Sequence, residues 1–208
     1  MKIVAVSQRV DTHPERGETR DALDQRLSGF LLAAGLIPVP VPNGLSRQSP
    51  DELDHWLAAV SPQAVVLSGG NDIGQYPARD QTESRMLDHA RTRNLPVLGI
   101  CRGMQMLAHW SGSGLKPVTG HVRTRHRLSG LIVSEVNSYH GFALENCPQG
   151  FEVMARSEDG EIEAIRHLHL PWQGWMWHPE RETAFAAHDI ERIQQLFNIT
   201  NSTQELTG

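Results

Sequence analysis

The sequence predicts an α/β fold in which helices cover both faces of a mainly parallel sheet, followed by an added antiparallel portion. Short apolar runs alternate with longer amphipathic segments through the first half of the 208-residue chain. This alternation is typical of βαβ units, which build a parallel sheet. In the second half the apolar runs are shorter and closer together, which indicates antiparallel strands. The length suits a single domain over residues 1–208, with no repeat or linker inside it.

The first half predicts four buried strands separated by helices. The second of these strands contains prolines, which suit the edge of a sheet. The first helix carries Leu23, Leu27, Phe30 and Leu31 at helical spacing and stops at Gly35. The predicted strands span residues 2–7, 36–41, 64–68 and 96–100, and the predicted helices span residues 19–34, 50–60, 82–93 and 103–110.

The second half predicts four further strands and a closing helix. The strands are separated by turn residues, and the polar end of the chain, residues 198–208, is expected to fray. The predicted strands span residues 131–136, 151–156, 162–167 and 174–177, and the closing helix spans residues 189–197.

Composition excludes several classes of function. The formal net charge of −5 gives no reason to expect nucleic-acid binding. No segment approaches the roughly 20 apolar residues that cross a bilayer, and the first residues are not a signal peptide. We therefore expect a cytoplasmic protein whose partner is a small molecule. Its two cysteines, Cys101 and Cys147, are expected to stay reduced.

A candidate nucleophile lies where the fourth predicted strand meets a helix. Cys101 follows an apolar strand, and Gly99 and Gly103 flank it. Small neighbours permit the sharp turn that exposes a nucleophilic side chain, and a helix N-terminus favours the thiolate. The alternative is a cysteine buried for packing, because cysteine is among the most buried residue types.

Two other segments carry the remaining chemistry. The loop at Gly69 and Gly70 can bring backbone N–H groups to a carbonyl, so Gly70 and Arg102 are candidates for an oxyanion hole. His178 and Glu180 lie at a strand end, where a base and its orienting carboxylate can serve a cysteine. Separately, a glycine pair is usually a turn and His-Pro-Glu usually a surface turn. The three segments in this order favour a catalytic triad.

These segments resemble the class I glutamine amidotransferase-like superfamily and, within it, the γ-glutamyl hydrolases. The resemblance implies a flavodoxin-like three-layer sandwich, a triad of Cys101, His178 and Glu180, and no cofactor. It also implies that Gln105 and the backbone around Asn137, Ser138, Tyr139 and His140 hold the glutamyl group. The matching segments are residues 68–72, 99–105, 136–140 and 177–180.

Residues 3–9 and 18–24 are similar to a narrower bacterial subgroup, which implies γ-glutamyl-CDP-amidate, of capsular phosphoramidate synthesis, as the candidate substrate. One alternative is a glutaminase subunit that delivers ammonia to a separate synthase. Another is an inactive binding module on the same scaffold, which would be expected to lack a triad residue.

Two further features of the sequence concern ions. The histidines number 11 but lack closed ligand spacing, so no metal is expected. Arg123, Arg125 and Arg127 would share one face of an extended strand, where guanidinium groups suit phosphate. The alternative for these arginines is a solvated strand edge.

Overall fold

The computed structural model describes residues 1–199, which form fourteen strands and six helices. The strands are β1 (Lys2–Val6), β2 (Arg9–His13), β3 (Glu18–Ala22), β4 (Leu36–Pro40), β5 (Ala64–Leu67), β6 (Val97–Ile100), β7 (Leu115–Pro117), β8 (Val122–Arg127), β9 (Ser129–Gly130), β10 (Glu135–Tyr139), β11 (Phe142–Leu144), β12 (Phe151–Arg156), β13 (Ile162–His167) and β14 (Trp172–Trp175). The helices are α1 (Gln25–Ala33), α2 (Gly44–Gln48), α3 (Pro50–Val60), α4 (Pro77–Arg93), α5 (Arg102–Trp110) and α6 (Ala187–Leu196).

A central eight-stranded sheet organises the fold, in the order β4-β1-β5-β6-β14-β13-β12-β9. The first five strands of this order pair in parallel, and the last three continue antiparallel. The proline-containing strand β4 lies at the edge, as predicted. The fold class predicted from the sequence, a mainly parallel sheet with an antiparallel addition, is confirmed.

Two apolar layers sandwich the sheet. On one face, Leu27, Phe30 and Leu31 of α1 pack with Ile193 of α6 in a core cluster. On the other face, side chains of α3, α4 and α5 form a second cluster that includes Leu57. Strands buried on both faces need apolar residues at every position, which explains the continuous Ile- and Val-rich runs.

The predicted first helix is wrong over its first residues. Residues 18–22 form β3, which pairs antiparallel with β2, and α1 begins only at Gln25. The Asp24 side chain accepts a hydrogen bond from the Arg26 amide and caps the helix. The sequence failed here because this exposed hairpin has few apolar residues, so its strand signal is weak.

Two other boundaries also differ from the prediction. Residues 131–134 form a loop between β9 and β10, instead of the predicted strand over 131–136. Helix α4 begins at Pro77, five residues before the predicted start, because proline is well tolerated in a first turn. The predicted frayed tail lies mostly outside the described residues. Among residues 1–199, no helix combines the length and apolarity that crossing a bilayer requires.

Candidate active site

Cys101 occupies a strained turn between β6 and α5. Its backbone has φ 51° and ψ −106°, which a non-glycine residue rarely adopts. A Cβ at Gly99 would lie 2.5 Å from the Gly103 carbonyl carbon, and a Cβ at Gly103 would collide with the Leu67 carbonyl oxygen. Both glycines are therefore required sterically, and the predicted elbow is present at the carboxyl ends of the parallel strands.

His178 and Glu180 form a tight buried pair beside this turn. His178 Nδ1 lies 2.6 Å from Glu180 Oε1, and both side chains are nearly inaccessible to solvent. The His178 ring also lies against the glycine loop, because a Cβ at Gly69 would stand 2.6 Å from its Cε1. The structure thus brings the pair together with the glycine loop.

Cys101 and His178 shift one another's ionisation. Burial alone would raise the pKa of the Cys101 thiol, but the charge of His178 and the Arg102 amide bring it below its ordinary value. Burial likewise lowers the pKa of His178, but the Cys101 charge and the Glu180 carboxylate raise it to about 9. The two groups therefore favour a thiolate–imidazolium pair.

Arg79 holds the glycine loop from below. This fully buried guanidinium donates to the carbonyl oxygens of Ser68 at 2.8 Å and Gly69 at 3.1 Å, and also to that of Gly70. In a trans peptide the C=O and the following N–H point in opposite directions. Arg79 thereby turns the Gly70 N–H away from itself.

A buried ion-pair network joins this arginine to the helix that follows Cys101. Glu83 lies 3.0 Å from Arg79 Nε and also contacts the guanidinium of Arg102, which reaches Asp80 as well. Burial would raise the pKa of Glu83, but Arg102 and Arg79 lower it overall. Sequence reasoning missed this network, although the spacing of Arg79, Asp80 and Glu83 along one helix face was its signal.

The predicted substrate-binding segment runs along β10, and most of its side chains are engaged within the protein. Asn137 bonds the main chain of His178, and Ser138 Oγ donates to the His121 carbonyl at 2.7 Å. Tyr139 is 40% exposed and meets the His178 ring edge-on. Backbone groups and Tyr139 therefore remain available to a ligand.

The predicted residue Gln105 is buried on α5. Its Nε2 donates to the Phe142 carbonyl at 3.0 Å, which links α5 to β11. The side chain thus lies one helical turn after Cys101, on the inward face of the helix.

A model of the family "Glutamine amidotransferase class-I" matches residues 41–194. The chain belongs to this family. A γ-glutamyl-CDP-amidate hydrolase of Campylobacter jejuni is 32% identical over 143 residues, which cover 66% of this chain and 70% of the relative. A glutamine-hydrolysing subunit of GMP synthase from Thermococcus kodakarensis is 31% identical over 149 residues, covering 65% of this chain and 76% of the relative.

Solved structures agree with this family fold. A glutamine amidotransferase of Thermotoga maritima superposes with a TM-score of 0.60 at 15% identity, covering 95% of this chain and 82% of that one. At such low identity the likeness supports the amidotransferase fold alone.

An open cleft of about 290 Å³ adjoins the candidate triad of this amidotransferase. His178, Glu180 and the Gly69–Gly70 loop line one side, while Arg9 and Arg181 bring positive charge. Arg181 also stacks on Tyr139, with its guanidinium 4.8 Å from the ring centre. A larger cavity of about 490 Å³ is lined by other residues, among them Tyr76 and Arg47, and by none of the predicted site residues.

The basic strand does not present the predicted arginine face. Arg123 has a left-handed φ of 57°, next to an irregularity in the β8–β10 pairing, which breaks the alternation. Arg125 lies 2.7 Å from Glu135 and 3.1 Å from Glu182, so its charge is compensated. None of the three arginines lines the cleft of about 290 Å³. Their position therefore weakens the phosphate interpretation.

Sequence reasoning also missed a buried histidine cluster. His121, His126, His140 and Glu163 come together where β8 and β10 approach β13. Their separation along the chain gives no closed motif, and only the strand pairing assembles them.

Proposed function

We propose that this amidotransferase-family chain hydrolyses a γ-glutamyl amide through a thioester on Cys101, with γ-glutamyl-CDP-amidate as the candidate substrate. The observation that carries the proposal is the strained Cys101 turn beside the buried His178–Glu180 pair. A nucleophile, a base and an orienting carboxylate in that relationship suit acyl transfer.

The first step forms the acyl-enzyme. The Cys101 thiolate attacks the γ-carbonyl carbon, and the amides of Gly70 and Arg102 stabilise the oxyanion. Arg79 supports the first of these donors because it fixes the peptide plane that contains the Gly70 N–H. Loss of one oxyanion donor typically lowers the rate about 100- to 1000-fold. The C–N bond then breaks as His178 transfers its proton to the leaving nitrogen.

The second step returns the enzyme to its starting state. Neutral His178 takes a proton from water, which attacks the thioester carbonyl carbon. The C–S bond breaks, glutamate leaves, and the proton on His178 again faces the Cys101 thiolate. Glu180 stabilises the imidazolium in both steps through its 2.6 Å contact with Nδ1.

Glutamyl recognition is assigned to Gln105 and to the segment Asn137–His140. Because the side chains of Asn137, Ser138 and His140 already have protein partners, we assign their contribution to backbone groups. Tyr139 supplies an exposed aromatic wall beside His178.

The leaving-group side of the cleft suits a phosphorylated amide. In γ-glutamyl-CDP-amidate the first phosphorus is bonded to the amide nitrogen, so the diphosphate lies close to the carbonyl under attack. Arg9 approaches Gly70 at this position, since a Cβ on Gly70 would stand 3.5 Å from the Arg9 Nη1. Arg181 lines the same cleft, and guanidinium groups bind phosphate in bidentate fashion.

A glutaminase subunit is the second candidate. The 31% identity to a glutamine-hydrolysing GMP synthase subunit, over 76% of that relative, favours it. The chemistry at Cys101 would be the same, but the substrate would be glutamine and the ammonia would pass to a synthase.

The test measures glutamate release by the protein alone from L-glutamine, γ-glutamyl-γ-aminobutyrate and γ-glutamyl-CDP-amidate, with Cys101→Ala as the inactive control. We expect rapid release from γ-glutamyl-CDP-amidate and poor release from glutamine. Feeble release from all three substrates would favour the glutaminase subunit instead.

Two arginine variants test the leaving-group assignment. Arg9→Gln should raise KM for γ-glutamyl-CDP-amidate while leaving γ-glutamyl-γ-aminobutyrate unaffected. Arg20→Gln is the matched control, because Arg20 lies on the paired strand and contacts Glu18, away from the cleft. Equal effects of Arg9→Gln on both substrates would contradict a role in phosphate recognition.

A further inference from the structure

The histidine cluster contains an uncompensated buried carboxylate. Glu163 on β13 is fully buried, and neither of its oxygens has a hydrogen-bond partner among the described residues. The buried Nε2 of His126 also lacks a partner there. Unpaired buried polar groups are costly, and a buried carboxylate is costlier still. These atoms point to a ligand that the protein atoms alone do not supply.

Three donor atoms of the cluster already have the spacing of a coordination site. His140 Nε2 lies 3.3 Å from His121 Nδ1 and 3.3 Å from Glu163 Oε1, and the remaining edge, His121 to Glu163, is 3.6 Å. Tetrahedral zinc with metal–ligand bonds near 2.0–2.1 Å separates its ligand atoms by about 3.3 Å. The three atoms therefore form one face of such a tetrahedron.

His126 supplies the fourth corner. Its ring centre lies 4.3 Å from that of His121, and the donor atoms of all four residues lie within 4.8 Å of one another. A small movement of this half-buried ring brings its donor to the distance of the other three.

The outer partners of the histidines match those of metal ligands. His121 Nε2 lies 2.8 Å from Asp159 Oδ2, and His140 Nδ1 lies 3.0 Å from the Phe142 carbonyl oxygen. Metal-binding histidines commonly donate their second ring N–H to a carboxylate or a backbone carbonyl, which fixes the tautomer that leaves the other nitrogen free. In both residues the nitrogen left free is the one that faces Glu163.

We propose that His121, His126, His140 and Glu163 bind a Zn²⁺ ion. Three neutral imidazoles and one carboxylate are ligands that zinc accepts, and four protein ligands close the site against substrate. Its role is therefore structural. The ion ties β8 and the end of β10 to β13, behind the segment Asn137–His140. This site is independent of the function proposed above, because no step of that reaction passes through it.

The test uses the full chain without an affinity tag, stripped of metal by chelation and titrated with Co²⁺ as a spectroscopic probe and then with Zn²⁺. We expect one ion per chain, tetrahedral Co²⁺ absorption that Zn²⁺ abolishes, and a higher Tm with Zn²⁺. Glu163→Gln should abolish the absorption. His109→Gln, which changes an exposed histidine outside the cluster, should leave it intact.

Asp159→Asn keeps the test decisive if Glu163→Gln fails to fold. Asp159 is 55% exposed, so its replacement does not disturb the core, yet loss of an outer partner typically weakens metal binding 10- to 100-fold. Absence of Co²⁺ or Zn²⁺ binding by the parent protein would overturn the proposal and leave a proton on His140 to compensate Glu163. Binding that Asp159→Asn and Glu163→Gln leave unchanged would overturn it equally.

Discussion

The Asn137 side chain holds the main chain of His178 from both sides. Its Nδ2 donates to the His178 carbonyl oxygen at 2.8 Å, and its Oδ1 accepts from the His178 amide at 3.0 Å. A further bond from Nδ2 to Glu182 Oε1, also 2.8 Å, fixes the amide orientation. Asn137 is thus a positioning residue that joins β10 to the candidate base.

Replacing Asn137 should therefore lower turnover more than binding. Asn137→Ala frees the main chain of His178, and a misplacement of about 1 Å at a catalytic group can cost roughly 100-fold in rate. We expect kcat for γ-glutamyl substrates to fall by about that factor with little change in KM. Asn146→Ala, at an exposed asparagine, is the control. A selective rise in KM would show instead that Asn137 contacts substrate.

The ionisation of Cys101 predicts a distinctive alkylation profile. Because the thiol pKa is lowered while that of His178 is raised to about 9, Cys101 should react with iodoacetamide well below the pH at which ordinary thiols react. Burial raises the pKa of Cys147, which serves as the internal control. Mass spectrometry of the two peptides across pH gives both profiles.

Removal of the base should shift this alkylation profile. In His178→Asn the stabilising positive charge is lost, so the Cys101 profile should move to higher pH and approach that of Cys147. Identical Cys101 profiles in the parent and the variant would mean that His178 does not stabilise the thiolate.

The elbow predicts a sharp contrast between two glycines. Gly103→Ala places a methyl group against the Leu67 carbonyl, and such overpacking typically costs about 1–3 kcal/mol in the free energy of unfolding. Gly44→Ala meets open space at the start of α2 and should not destabilise the protein. Urea unfolding measures both, and similar stabilities of the two variants would contradict the close packing of β5, β6 and α5.

The buried network under the glycine loop should carry considerable stability. Glu83→Gln leaves Arg79 and Arg102 without their shared carboxylate, and breaking a buried pair typically costs about 3–5 kcal/mol. Asp88→Asn on the same helix breaks an exposed pair with Arg91 and should change stability by less than about 0.5 kcal/mol. Equal losses in the two variants would show that burial of the network is unimportant.

The sequence predicted those parts of the molecule whose signals are local. The strand, the glycines and the helix start around Cys101 lie within a few residues of one another, and buried parallel strands leave continuous apolar runs. By contrast, the β2–β3 hairpin is stabilised by pairing between exposed polar residues, so its periodicity is weak. The helix start at Pro77 was also missed, and with it the placement of Arg79 under the loop.

Clusters assembled by tertiary structure lay beyond sequence reasoning. His121 and Glu163 are 42 positions apart, and only the approach of β13 to the β8–β10 pair brings them together. The roles of Asn137 and Arg79 are likewise invisible in the sequence, since each depends on which backbone groups the folded chain presents to it. Local motifs located the chemistry, whereas its support required the fold.

Trapping the acyl-enzyme tests the proposed mechanism most directly. The protein is mixed with γ-glutamyl-CDP-amidate, quenched in acid within the first turnovers, and measured intact and as peptides by mass spectrometry. We predict one glutamyl group on the Cys101 peptide and none in Cys101→Ala, which should release no glutamate. Glutamate release that persists in Cys101→Ala, or a glutamyl group bound to another residue, would contradict the mechanism.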